Sequence, residues 1–172
     1  MAAYAGVTFN NLKKALYYLY FGAEYPEEEA YQYILPMQQN FFNPIEDMGM
    51  DTYIQFFIDE DDKLTQDQFG YNTNYVHKLA KCSIRFVGEQ AEMWAKAFHH
   101  LTKRRDTGSI FLGTCQAEQL EAVGPIYPTT VTFNGKNVNI AFDIEFRLFY
   151  KESIDLTWLP LANVELAPGQ AY

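Results

Sequence analysis

"KCSIRFVGEQAEMWAKAFHHLTKRRD", residues Lys81–Asp106, changes its hydrophobic period partway along. Up to Val87 the residues alternate. Cys82, Ile84 and Phe86 share one face, while Lys81, Ser83 and Arg85 take the other. That period is a strand's. After Gly88 the apolar residues Ala91, Trp94, Ala95, Phe98 and Leu101 recur at helical spacing. Glu92, Lys96, His99 and Lys103 form the wet side, with Glu92 one turn ahead of Lys96, an arrangement that supports a helix. The spacing predicts a helix ending near Arg104, where basic residues meet the negative end of its dipole. A strand thus passes through one glycine into a helix, a place where many folds hold phosphate.

The residues around that glycine argue against phosphate. Phosphate loops use several glycines so that backbone N–H groups can close on the anion. "RFVGEQAE" has a single one, and Glu89 and Glu92 complement the helix start themselves. His99 and His100 are adjacent, so they point about 100° apart on a helix and share no metal easily. His77 lies far off on a strand, and these histidines read as solvated residues near a helix end. "DEDD", Asp59–Asp62, lacks the glycine and later glutamate of a calcium loop and reads as an acidic turn. Cys82 and Cys115 stand at no metal spacing and in no catalytic motif, and both are expected to be free buried thiols of a reducing compartment. No serine sits in a G-x-S-x-G elbow. Asp143 and Glu145 share a polar strand face with Arg147, which suits cross-strand ion pairs better than acid–base chemistry. No catalytic, cofactor or metal site is expected.

Outward from this stretch, Thr8–Phe21 reads as a helix through Phe9, Leu12, Leu16, Leu19 and Tyr20, capped by Thr8 and stopped by Gly22. "EYPEEEAYQYILPMQQNFFNP", Glu24–Pro44, carries Glu27–Glu29 and three prolines and is expected to be an irregular arm with one short helix. Thr52–Asp59 alternates as a strand, and Tyr75–Val87 is the next. Ser109–Cys115 is expected as a short strand and Gln116–Glu121 as a helical turn. Thr129–Phe133, Asn134-Gly135 and Val138–Tyr150 form the clearest signal, a β-hairpin around an Asn-Gly turn. Ile140, Phe142, Ile144, Phe146, Leu148 and Tyr150 point one way, and Ala141, Asp143, Glu145 and Arg147 the other. "LTWLPLANVELAPGQAY", from Leu156, has no clean period and reads as an extended arm. The expectation is one α+β domain over residues 1–172, a mainly antiparallel sheet with helices packed on one face. Its core spans about 52–154, with an irregular arm at 22–50 and a C-terminal arm at 156–172.

Composition bounds the function. Of the 172 residues, 48% are hydrophobic and 17% aromatic, with 14 Phe and 13 Tyr. Tyrosine buries a ring and keeps a polar tip, which suits surfaces that meet other proteins. A net charge of −9 argues against a body that wraps nucleic acid. "MAAYAGVTFNNLKK" lacks the basic region and apolar core of a signal peptide, and no run reaches the ~18 apolar residues of a membrane span. Aromatic surface, two arms and an acidic body fit a protein of assembly.

The order "CSIRFVGEQAEMWAKAF", "KRRD", then a hairpin ending in "AFDIEFRLFYKESID" resembles the tail-terminator or neck proteins of tailed bacteriophages. Those carry an R-I-R-F-x-G strand, an A-x-x-W/A helix and a later D-x-x-F-x-x-x-Y strand. The matching positions are Ser83, Ile84, Arg85, Phe86 and Gly88, then Ala91 and Trp94, then Asp143, Phe146 and Tyr150. The likeness runs from Thr52 to Ile154, and Glu24–Pro44 has no counterpart in the pattern. It implies a non-enzymatic virion protein, assembled in the host cytoplasm, that forms a ring, usually hexameric, capping the tail tube. The ring docks on neighbouring tail-tube and connector proteins and leaves a channel through which DNA passes without specific binding; no membrane is involved. On this reading Lys103, Arg104, Arg105, Trp158, Leu159 and Leu161 are candidate subunit contacts. Asp59, Glu60, Asp61 and Asp62, or Glu27–Glu29, are candidates to line an acidic channel that repels phosphate. Two alternatives stand beside it: a tail-tube or baseplate subunit of a phage-like particle, and a ligand-binding or enzymatic α+β domain with an aromatic-lined pocket.

Overall fold

The computed structural model describes residues 9–22, 24–37, 44–58, 62–63, 75–133 and 137–153. In chain order these are helix α1 (Phe9–Tyr20), the short helix α2 (Glu27–Ala30) with a following 3-10 turn (Tyr31–Tyr33), strand β1 (Ile34–Pro36) and the short helix α3 (Pro44–Asp47). Next come β2 (Thr52–Ile58), β3 (Asp62–Lys63), β4 (Tyr75–Gly88), α4 (Ala91–Leu101), α5 (Arg105–Cys115), β5 (Ala117–Phe133) and β6 (Asn137–Ser153). The sheet runs β1-β2-β4-β6-β5, with β3 pairing to β4. Only β1–β2 is parallel among these pairings. The fold is α+β with a mainly antiparallel sheet, as the alternating strands predict.

The core follows from the register of β4 on β6. Ala80, Cys82, Ile84 and Phe86 stand opposite Leu148, Phe146, Ile144 and Phe142, which puts the apolar sets of both strands on one face. Three helices cover that face. α4 lays down Ala91, Ala95 and Phe98, all fully buried. The Phe98 ring sits 6.1 Å from Phe86 and 5.3 Å from Phe146, tilted and edge-on. α5 adds Phe111, 6.4 Å from Phe146. α1 adds Leu12, Ala15 and Leu16. Burying each such Phe or Leu side chain stabilises by about 1.5–3 kcal/mol. At the end of α1 the N–H groups of Phe21 and Gly22 both donate to the Tyr17 carbonyl, at 2.8 and 2.9 Å. On the opposite sheet face a smaller cluster forms from Met50, Tyr53, Val87 and Ala141, with Ile45 of α3 against it.

The chain departs from expectation in five places. Ser109–Cys115 belongs to helix α5, not a strand. Thr107, Phe111 and Cys115 are buried one turn apart, while Leu112, needed for alternation, is 53% exposed. Gly108 and Gly113 lower the helix propensity there, and burial of the stripe overrides them. Gln116–Glu121 is no helical turn; Gln116, at φ 54°, ends α5 in the left-handed region, and β5 begins at Ala117. β5 starts well before Thr129 because Gly124 and Pro125, which read as breaks, sit at a register shift between Val123 and Tyr127 on an edge strand. Within the expected 22–50 arm, β1 pairs with β2, Ile34 opposite Ile54, and Ile34 is fully buried. The α4 helix stops at Leu101, three residues short of Arg104.

Thr8, the Asn134-Gly135 turn and the tail 156–172 lie outside the described residues, although Phe133 and Asn137 pair on either side of that turn. Among the described residues no helix is long and apolar enough to cross a membrane.

Among the described glycines, Gly88 is the one where a side chain would collide with backbone. Its φ is +118°, and a Cβ there would stand 2.1 Å from the Asp51 carbonyl oxygen. Gly88→Ala is expected to lower unfolding free energy by at least ~2 kcal/mol in urea titration. Gly108→Ala, in open space within α5, is expected to hold or raise it by up to ~1 kcal/mol. Equal effects at both positions would refute this account of Gly88.

Candidate functional site

The glycine turn is built for packing. The Glu89 N–H donates to the Asp51 carbonyl at 3.1 Å, and the Gln90 N–H donates to Thr52 Oγ1 at 3.0 Å. The amides that an anion would need therefore already hold the start of β2.

Of the residues that carry the phage-neck pattern, Arg85, Phe86, Gly88, Ala91, Trp94 and Asp143 lie near this turn, whereas Tyr150, opposite Lys78, stands far down β4 from it. Arg85 and Asp143 face each other across β4 and β6. They make a bidentate pair, Nε to Oδ1 at 2.7 Å and Nη2 to Oδ2 at 2.8 Å. The hydrogen bond to Asp143 raises the Arg85 guanidinium above its ordinary value, against the opposing effect of burial. With both side chains about a quarter exposed, the pair contributes about 1 kcal/mol. Ile84 stands opposite Ile144, and Phe146 and Tyr150 are buried on the helix side. The Trp94 ring meets Phe86 edge-on at 6.4 Å.

Other expected sites separate. Lys103 and Arg104 are exposed in the turn between α4 and α5, and Arg105 is exposed at the first position of α5. Arg104 is tied to Asp106, Nε to Oδ1 at 3.0 Å. No side-chain partner stands at Lys103 or Arg105 among the described residues. Asp59, Glu60, Asp61, Trp158, Leu159 and Leu161 lie outside the described residues, and Asp62 begins β3 opposite Leu79. Glu27–Glu29 form α2, where the Glu27 carboxylate accepts from the Tyr31 hydroxyl. His100 is exposed and His99 half-buried, with ring centroids 6.5 Å apart. The Glu92–Lys96 pair forms at 2.5 Å.

Among the described side chains, the face of the sheet turned away from α1, α4 and α5 carries balanced charge. Lys81, Arg85 and Arg147 stand among Glu121, Asp143 and Glu145 on three adjoining strands. The acidic character of the whole chain is not expressed there.

A feature that motif reading missed lies at the opposite end of α4 from the basic turn. A cavity of about 260 Å³ is lined by Tyr20, Phe21, Tyr25, Tyr33 and Trp94. Glu24, Asp51 and Gln90 also line it. Trp94 is half-buried, and its Nε1 donates to Gln90 Oε1 at 3.2 Å. The Tyr20 hydroxyl donates to the Trp94 carbonyl at 3.1 Å. The available signal was aromatic density between Tyr20 and Tyr33, which alone does not reveal that the rings converge on Trp94.

A comparison with protein-family models and with curated proteins finds no match to this chain.

Both cysteines are buried. Burial raises the Cys115 thiol from an ordinary value of 9.0 to about 11, with the Thr114 hydroxyl opposing. Burial also raises the Tyr20 and Tyr53 hydroxyls, with Arg85 opposing at Tyr53. A raised value means that the fold favours the protonated form. Its contribution is complete below the ordinary thiol pKa and is lost as pH climbs through the folded value. Unfolding free energy is therefore expected to fall between pH 9 and 11, read from urea titrations at stepped pH. A flat profile over that window would contradict the burial argument.

Proposed function

We propose that this chain is a non-enzymatic structural subunit of a tailed-phage virion. It closes into a ring at the head-facing end of the tail tube and joins tail to connector, with DNA passing through the centre. The reading is carried by the convergence of the residues behind the resemblance. Arg85 with Asp143 and Phe86 with Trp94 bring β4, α4 and β6 together near the Gly88 turn.

Two further features support an assembly role. The sheet is covered by the larger helices on one face, and its other face balances positive against negative side chains. Turned toward a channel, such a face gives passing phosphates little net attraction, which is what a conduit requires. At the β5 edge, Pro125 and Pro128 remove backbone donors, and the register shift at Gly124 bends the strand. That edge resists pairing with another sheet, so neighbours at β5 meet through side chains.

Purified full-length protein, imaged by negative stain and weighed by native mass spectrometry, is expected to give discrete rings of one size. Long tubes would favour a tail-tube subunit. A monomer at high concentration would overturn both readings.

A further inference from the structure

We propose that the aromatic cavity beside the first turn of α4 is a seat for a side-chain cation. In the assembled ring it receives Lys103 and Arg105 of a second copy. The choice of occupant rests on the ring reading, whereas the chemistry of the seat does not.

The lining selects the ligand. Aromatic faces carry negative charge in their quadrupole and attract ammonium and guanidinium groups within about 6 Å of a ring centroid. Here five rings border one cavity. Tyr20 and Trp94 stand 5.4 Å apart, Phe21 and Trp94 5.6 Å, and Tyr25 and Tyr33 6.0 Å. Glu24 and Asp51 add two carboxylates, and no Lys or Arg lines the space. An anion would meet those carboxylates, and the nearby Glu89 and Gln90 amides already donate to β2. The chain makes the same kind of contact elsewhere, with Lys13 Nζ 4.7 Å from the Tyr31 centroid and Lys14 Nζ 6.0 Å from that of Tyr18.

The occupant follows from which cations remain available. Lys13 and Lys14 lie over tyrosines, Lys96 is paired with Glu92, Arg85 with Asp143 and Arg104 with Asp106. Lys81, which has an interaction of its own, and half-buried Arg147 stand on the far face of the sheet, which completes the cations among the described side chains apart from Lys103 and Arg105. Lys103 and Arg105 are exposed together, with no side-chain partner among the described residues. Their turn and the cavity sit at opposite ends of α4, a helix of 11 residues and therefore about 16 Å long. A rigid helix keeps the two apart within one chain and leaves them free to meet between chains. One patch joined to a different patch on the next copy is a head-to-tail contact, the kind that closes rings.

The test uses three full-length proteins: wild type, a turn variant (Lys103→Glu with Arg105→Glu), and a seat variant (Glu24→Lys with Asp51→Lys). All four changed residues are exposed, and circular dichroism checks that each variant folds. Each variant alone is expected to need about tenfold or more higher concentration than wild type to form rings. Mixed in equal amounts, they are expected to regain rings, because the reversed turn then meets the reversed seat and the native turn meets the native seat around an alternating, even-numbered ring. Rings that persist undiminished in the turn variant, or a mixture that fails while wild type assembles, would overturn the occupant. A separate arm titrates n-butylammonium and methylguanidinium into the turn variant, whose seats are empty, with Trp158→Phe leaving Trp94 as the remaining tryptophan. Saturable change in Trp94 fluorescence, absent when Glu24→Lys and Asp51→Lys are added, is the expected result. No saturation beyond a sodium chloride control would overturn the seat. If wild type forms no ring, the ring reading fails and the titration alone decides the seat.

Discussion

At Gly88 the end of β4 passes so close to the start of β2 that a Cβ would collide with the Asp51 carbonyl oxygen at 2.1 Å. That approach brings the next two amides within reach of β2: Glu89 N–H to the Asp51 carbonyl and Gln90 N–H to Thr52 Oγ1. Thr52 is buried and pairs with Gly88 itself. Two strands and a helix start are thereby joined at one point. The direction in which α4 leaves the sheet is set there, so Trp94 lands on Phe86, and Phe98 between Phe86 and Phe146. The same joint supplies Asp51, Thr52 and Gln90 to the wall of the aromatic cavity. The cavity wall is thus held by a joint whose backbone approach leaves no room for a Cβ at Gly88.

The aromatic richness has two structural uses. Phenylalanines fill the interior between sheet and helices. Tyrosines fill the boundary, where a ring can be buried while the hydroxyl still finds a partner. Tyr20 donates to the Trp94 carbonyl and Tyr17 to the Tyr25 carbonyl, each at 3.1 Å. These bonds tie α1 to α4 and to the loop after α1, which brings the rings around the cavity together. Tyr53 is an exception, with a buried hydroxyl that has no partner, a burden of about 1–3 kcal/mol offset by the ring's own burial.

The parts of the fold legible in the sequence were those where periodicity, turn chemistry and burial agree. Ile84 and Phe86, the α4 stripe and the Ile144–Tyr150 alternation all read correctly because each is held by a single apolar face. The misreadings share a cause. In α5, Gly108 and Gly113 hide a helix whose Thr107–Phe111–Cys115 stripe is stabilised by packing against the sheet and α1. In β5, Gly124 and Pro125 look like an ending but form a bulge that an edge strand can absorb. Ile34 gains its place from parallel pairing with β2, a contact across some 20 residues that no local pattern encodes. Of the expected subunit contacts, the basic turn is described, and it is as exposed as its charge implies. The cavity was not legible, because it depends on Tyr20, Tyr33 and Trp94 meeting through tertiary packing.

Magnitudes assign different tasks to the parts of an interface made this way. An exposed ion pair contributes well under 1 kcal/mol once salt and side-chain entropy are counted. A cation over aromatic rings adds about 0.5–2 kcal/mol, more as water is excluded. Two such contacts fall short of the several kcal/mol that association loses in rigid-body freedom. In the proposed ring, Lys103 and Arg105 in the seat would therefore fix orientation and register, while most of the affinity would come from apolar area buried around them. The half-exposed Tyr25 on the cavity rim offers such area at the seat, and exposed Met93 offers more on α4. Charge that orients and aromatic surface that adheres is the division expected of a subunit that must join identical neighbours in one register.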